Sequence, residues 1–205
     1  MSDQPVVWES AGTSRIPFAV YTGAQLHQRE MERFFYRGHW CYVGLEAEIP
    51  EPGDFKRTKV GERSVIMVRA ADGQIHVVEN ICAHRGMAFC RERHGKAKEF
   101  VCPYHQWSYA LDGQLQGVPF RRGVRQEGKV QGGMPPEFDK ADHALQRLRV
   151  DEMGGIVFGT FSETMPDLEA WLGPDVSRGL KRTMNRRPHI LGRSIQVLPN
   201  NWKLY

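Results

Sequence analysis

Two short segments of this chain carry the residues best suited to metal chemistry: Cys82-Ala-His84-Arg-Gly86 and Cys102-Pro-Tyr-His105-Gln-Trp107, with positions 85–101 lying between His84 and Cys102. Each supplies one thiolate and one imidazole. That set suits a [2Fe–2S] cluster in which Cys82 and Cys102 bind one iron and His84 and His105 bind the other. Two neutral imidazoles in place of two thiolates raise the potential above that of an all-cysteine cluster. The competing reading is a zinc-dependent interaction module, since zinc also accepts two Cys and two His. Zinc ligands usually pair like with like, at C-x₂₋₄-C and H-x₃₋₅-H spacings. Here each segment mixes the two types, and a single residue separates Cys82 from His84. The spacing favours the iron–sulfur cluster, which passes single electrons, so the chain reads as part of a redox system.

The residues beside these four would shape the site. Gly86 permits a backbone turn that a β-carbon would obstruct, and with Arg85 it shapes the first loop. Trp107 is expected to cover the cluster and exclude water from the sulfurs, and Tyr109 could donate a hydrogen bond to a cysteine sulfur.

The elements that hold these loops read as mainly β. Trp40–Leu45 is a strand and Pro50-Glu-Pro-Gly53 a turn. Phe55–Val60 and Ser64–Arg69 flank Gly61-Glu62 as a hairpin, and Asp72-Gly73 turns the chain into Ile75–Glu79. Asp112-Gly113 follows a strand at Trp107–Leu111, and Leu145–Val150 pairs with Gly155–Phe161. Short strands with tight turns predict a small antiparallel β-sandwich with the ligand loops at one tip. Before it, residues 1–21 read as an extended arm. Thr22-Gly-Ala-Gln25 reads as a capping box opening a helix through Tyr36, ended by Gly38. After it, Asp167–Leu172 and Asp175–Met184 read as helical and Ile190–Leu198 as a strand. The chain stops at Asn201-Trp-Lys-Leu-Tyr205 with no cap or tail, as an incomplete sequence would.

Composition is that of an ordinary soluble globular protein: 205 residues, 40% hydrophobic and 25% charged. The net charge of +4 is too small to imply nucleic-acid binding. No run of 18 apolar residues suggests a membrane span, and the start lacks a signal peptide, so a cytoplasmic location is expected. Cys41 and Cys90 read as packed thiols, unpaired in a reducing compartment. Basic residues gather at Arg91, Arg93, Lys96 and Lys98, at Arg121, Arg122, Arg125 and Lys129, and at Lys181, Arg182, Arg186 and Arg187. The first of these groups could steer an acidic redox partner.

Taken together, the helix with Phe34-Phe35, His39-Trp40, the two Cys/His loops and Asn201-Trp-Lys203 resemble the large (α) subunit of Rieske non-haem iron aromatic-ring-hydroxylating oxygenases. The segment Val43–Arg57 is similar to salicylate 5-hydroxylase large subunits and to their anthranilate and terephthalate dioxygenase relatives. Respiratory Rieske proteins carry two further cysteines, in a disulfide between the loops, and a serine that bonds a cluster sulfide. Met87, Tyr104 and Trp107 stand at those positions, so a potential at the low end of the roughly −150 to +300 mV Rieske range is expected.

The resemblance implies three parts: residues 1–37 packing with a catalytic domain, a Rieske domain over 38–160, and the start of an α+β catalytic domain over 161–205. It also implies electrons from a ferredoxin and/or an NAD(P)H-dependent reductase, a small β subunit, an α3 or α3β3 assembly, and an aromatic acid and O₂ as substrates. In the family, Asn-Trp-Lys leads into the helix bearing ligands of a mononuclear non-haem Fe(II). None of His27, His39, His76, His94, His143 and His189 matches that motif, so those ligands are expected beyond Tyr205 and no catalytic residue is assigned here. A free-standing Rieske ferredoxin is the alternative of another class. It would need neither the N-terminal helix nor residues 162–205.

Overall fold

The computed structural model describes residues 6–8, 12 and 14–204. Two short helices come first, α1 (Ala19–Thr22) and α2 (Ala24–Glu30), and α2 widens into a π-helical turn over Met31–Tyr36. The expected capping box does not form. Thr22 Oγ1 donates back to the Phe18 carbonyl and closes α1, while Gly23 precedes α2 with no side-chain cap. A hydroxyl used to end one helix is not available to begin the next. Residues 19–21, expected to be extended, are therefore helical; residues 1–5, 9–11 and 13 of that arm lie outside the described residues. The Cys41 thiol then faces the carbonyls of Phe34, Phe35 and His39, each at 3.9 Å, at the end of the π turn.

Seven antiparallel strands form the main sheet: β1 (Cys41–Leu45), β2 (Asp54–Val60), β3 (Arg63–Arg69), β4 (Ile75–Glu79), β5 (His94–Lys96), and later β11 (Arg147–Met153) and β12 (Ile156–Thr160). Their order is β1-β12-β11-β4-β3-β2-β5. A second sheet, β6 (Phe100–Val101), β7 (Ser108–Tyr109) and β8 (Leu115–Gly117), lies in the order β6-β7-β8, and a hairpin of β9 (Val124–Gln126) and β10 (Lys129–Gln131) stands apart. The Gly61-Glu62 and Asp72-Gly73 turns fall where the sequence predicts them, joining β2 to β3 and β3 to β4. Gly61 is required twice over: its φ is +59°, and a β-carbon there would lie 3.0–3.2 Å from Phe35, Tyr36 and Met31. The strand predicted at Trp107–Leu111 shrinks to Ser108–Tyr109, because Asp112-Gly113 turns the chain almost at once into β8.

The period-two pattern of β3 explains the layering. Val65, Ile66, Met67 and Val68 are all buried, but they alternate between two cores. Ile66 and Val68 face the side that holds Phe89, Phe100, Trp107 and Tyr109, under the Cys/His loops. Val65 and Met67 face the opposite core with Val43, Ile49 and Val157. A third cluster, around Trp40, Met153 and Leu168, seats α3 (Leu168–Thr183) against β11. Gly173, at φ +75°, and Pro174 break α3 into the two helical stretches the sequence predicts. Ile190–Leu198 forms no strand. Its alternating residues have no partner ladder, and an unpaired strand has nothing to satisfy its backbone groups. Among the described residues no helix is long and apolar enough to cross a membrane.

Candidate metal centre

The two Cys/His segments fold into loops with the same backbone bonding. In the first, between β4 and β5, the Cys82 N–H donates to the Met87 carbonyl and the Gly86 N–H to the Cys82 carbonyl, both at 2.9 Å. In the second, between β6 and β7, the Cys102 N–H donates to the Trp107 carbonyl and the Gln106 N–H to the Cys102 carbonyl, again at 2.9 Å. The fourth residue after each cysteine is left-handed: Gly86 at φ +71° and Gln106 at φ +60°. At Gly86 the demand is local: a β-carbon would meet no other segment within 4 Å, but at this φ it would crowd its own adjacent backbone.

A buried asparagine closes the first loop at its base. Asn80 Nδ2 donates to the Cys90 carbonyl and Asn80 Oδ1 accepts the Cys90 N–H, both at 2.9 Å. The amide side chain thus stands in for a missing rung of sheet. Cys90 is buried beside it, and burial pushes its thiol up, as suits a packed rather than reactive cysteine. Cys41 is half-buried, its thiol pushed up to about 11 by desolvation. Neither is in a disulfide.

The loops bring the four predicted donors together as two pairs. Cys82 and Cys102 are both buried. Burial pushes the Cys102 thiol up, and Cys82 lies close enough to push it the same way, although the Tyr104 and His105 amides donate to its sulfur and favour the thiolate. His84 and His105 stand at the rim, partly exposed, with their Nδ1 atoms 3.0 Å apart. Burial holds His84 below the usual imidazole value, and the neighbouring His105 and Arg85 act the same way. His84 therefore favours the neutral form that ligates a metal, and both rings present the same nitrogen to one point. The Tyr109 hydroxyl accepts the Ala83 N–H at 3.0 Å and lies 3.2 Å from Cys82 Sγ, placed to donate to a thiolate. Two buried thiols with donors to sulfur, and two imidazoles converging through Nδ1, are a donor set that fits a mixed-ligand [2Fe–2S] cluster.

Trp107, only 3% exposed, stacks on the His84 ring at 4.8 Å between centroids and 11° between planes. Tyr104 leans on His105 at 4.0 Å and 33°. Arg85 is exposed beside His84. The other histidines are dispersed: His27 pairs with Glu62, His39 packs between Phe34 and Trp171, and His143 lies against Trp107. Sequence reasoning missed Asn80, Phe138 and His143. Their parts depend on contacts between segments, and no local spacing marks them.

Residues 39–128 match the family model of the Rieske [2Fe-2S] domain, so the fold and the paired donors define a Rieske iron–sulfur domain. The chain is 60% identical over 198 residues to the large oxygenase component of salicylate 5-hydroxylase from Ralstonia sp, covering 96% of this chain and 47% of that protein. It is 44% identical over 206 residues to the terminal oxygenase component subunit alpha 2 of terephthalate 1,2-dioxygenase from Comamonas sp, covering 100% and 49%. The crystal structure of naphthalene 1,2-dioxygenase from Rhodococcus sp. superposes with a TM-score of 0.70 at 32% identity, over 82% of this chain and 36% of that one. The chain belongs to the large subunits of the Rieske oxygenases, and it spans about half the length of the curated relatives it matches.

Proposed function

We propose that Cys82 and Cys102 hold one iron of the cluster and His84 and His105 the other, and that the chain is the electron-transfer part of an aromatic-ring-hydroxylating oxygenase acting on a salicylate-like aromatic carboxylate. The observation that carries the ligand assignment is the pair of equivalent loops, which bury two thiols together and set two Nδ1 atoms 3.0 Å apart. When bound, the cluster supplies reversible one-electron transfer. The chain's own residues do the rest. The Tyr109 hydroxyl and the Tyr104 and His105 amides donate toward the sulfurs, Trp107 excludes water from one side, and His84 and His105 stay at the rim within reach of a partner.

The same reading divides the chain into a Rieske domain over 38–160 and flanks, 1–37 and 161–205, that belong to a catalytic domain. Contacts between the flanks support this: Glu30 accepts from Lys203 Nζ and, at 3.2 Å, from Trp202 Nε1, and Asn201 Nδ2 donates to the Tyr21 carbonyl. The oxygen-activating Fe(II) is then held by residues outside these 205. The electrons come from a ferredoxin or an NAD(P)H-dependent reductase, with a small β subunit completing the assembly. The relatives named above favour salicylate over anthranilate or terephthalate, since the salicylate enzyme is the more similar.

Reconstitution with iron and sulfide tests the ligands: the chain should give a Rieske EPR signal, and His105→Cys should move it toward that of an all-cysteine cluster. A Rieske signal unchanged in that variant would reject the assignment. For the substrate, the complete large subunit with reductase and O₂ should hydroxylate salicylate in preference to anthranilate and terephthalate, and product from either of those alone would overturn the choice.

A further inference from the structure

The two rim histidines are not held alike. The ring that leans on His105 belongs to Tyr104, which is 62% exposed. The ring that stacks on His84 belongs to buried Trp107, and Trp107 is itself pinned from behind. Phe138 meets the indole edge-on at 5.8 Å and 80°, and His143 meets it at 5.7 Å and 68°. These two rings also contact one another, at 4.5 Å and 33°.

Both come from the segment that follows β8, and that segment is tied down locally. The Phe138 N–H donates to the Pro135 carbonyl at 3.0 Å, and the Phe138 carbonyl accepts from Arg121 Nη2 at 3.3 Å. Lys140 Nζ donates to the Gln116 carbonyl at 2.9 Å, which anchors the segment to β8. His143 Nδ1 lies 2.9 Å from the Asp139 carbonyl; a carbonyl only accepts, so Nδ1 carries the proton and the ring plane is fixed.

We propose that Phe138 and His143 are positioning residues that clamp Trp107 and thereby set the plane of the His84 imidazole. The proposal rests on His84 being a ligand, as argued above. A ligating imidazole can rotate about its metal–nitrogen bond, and the ring plane governs how its π orbitals meet the metal. Groups that fix ring orientation therefore tune the metal. A single indole against the ring would leave Trp107 free to tilt with it. Two further rings, edge-on to the indole and touching each other, remove that freedom. The edge-on geometry is also the favourable one for aromatic pairs. What His143 contributes in this arrangement is its ring, not its basicity.

The test uses the full 205-residue chain loaded with iron and sulfide and reads three things: cluster content, EPR g values with the nitrogen hyperfine couplings, and midpoint potential. Phe138→Ala and His143→Ala should each shift the g values and broaden the signal, and should move the midpoint at wild-type cluster content. His143→Phe should restore all of these, because it keeps a ring against Trp107. If an alanine variant does not fold, Phe138→Leu and His143→Leu keep the bulk without the aromatic edge and are read in the same way. Unaltered g values and midpoint in both positions' variants, beside a normal wild-type signal, overturn the clamp alone. A His143→Phe variant that behaves like His143→Ala overturns the role given to the ring. A wild-type chain with no Rieske signal overturns the ligand assignment and the clamp with it.

Discussion

At the scale of single residues, two polar side chains hold the centre together. Tyr109 takes the Ala83 N–H and faces Cys82 Sγ. Hydrogen bonds to cluster sulfurs favour the reduced state, so Tyr109→Phe should lower the midpoint potential of the loaded chain, measured by voltammetry. It also removes the partner of the Ala83 amide, at about 0.5–1.5 kcal/mol in a denaturant titration. Asn80→Ala strands the Cys90 N–H and carbonyl together, deep under the first loop. About 1–3 kcal/mol for an unsatisfied buried group makes this a severe substitution. It should destabilise the chain and shorten cluster lifetime, with urea midpoints and loss of visible absorption as the measurements. The cysteines and histidines were legible in the sequence because metal ligands follow a spacing rule. Asn80, Phe138 and His143 were not, since each acts on a residue brought beside it by the fold.

At the scale of elements, legibility tracked how local the governing interactions are. The β2–β3–β4 meander was readable because Gly61-Glu62 and Asp72-Gly73 bracket the continuous apolar run Val65–Val68. Strands β5 to β10 are two or three residues long, too short to show a period, and β5 exists only through its distant partner β2. Ile190–Leu198 shows the converse, a strand-like pattern with no neighbour. Between β1 and β2 a 3₁₀ turn over Glu46–Glu48 sets Glu48 against Lys56 Nζ, the Leu45 amide and Arg193. Burial pushes the Glu48 carboxyl up, but these partners outweigh it and leave it below the ordinary carboxylate range. A carboxyl depressed on folding adds stability that is complete above the unfolded value and is lost as pH falls through the folded one. Stability should therefore hold down into the carboxylate range and fall below it. In Lys56→Met the folded value moves up toward the unfolded one, so less stability is lost with acid from this carboxyl, as denaturant midpoints across an acid series would record.

At the scale of the whole molecule, the sheet carries the metal centre on one side and α3 packed against β11, while the helical segment 19–36 meets residues 201–203. Glu30, 7% exposed, accepts from both Lys203 and Trp202, and Trp202 packs edge-on to Phe34 and Phe35. Glu30→Ala leaves the Lys203 ammonium, itself largely buried, without a partner. Hydrogen bonds to charged groups contribute about 1.5–3 kcal/mol. Hydrogen exchange over residues 201–204 should accordingly accelerate by roughly tenfold or more, while the EPR signal of the loaded chain stays unchanged. A signal that moved as well would show the flanks and the Rieske domain to be energetically coupled.

The two metal loops also differ in their room for evolutionary drift. Both ask the fourth residue after cysteine to twist left-handed, but one fills that place with glycine and the other with Gln106. An L-residue there costs roughly 1–2 kcal/mol, and a glycine gives back about 0.4–1 kcal/mol through the freedom of the unfolded chain. Gln106→Gly therefore holds an unspent reserve of up to about 1.6 kcal/mol, whereas an L-residue at Gly86 loses by the same reckoning. A lineage under heat stress has one step open in the second loop and none at the matching place in the first.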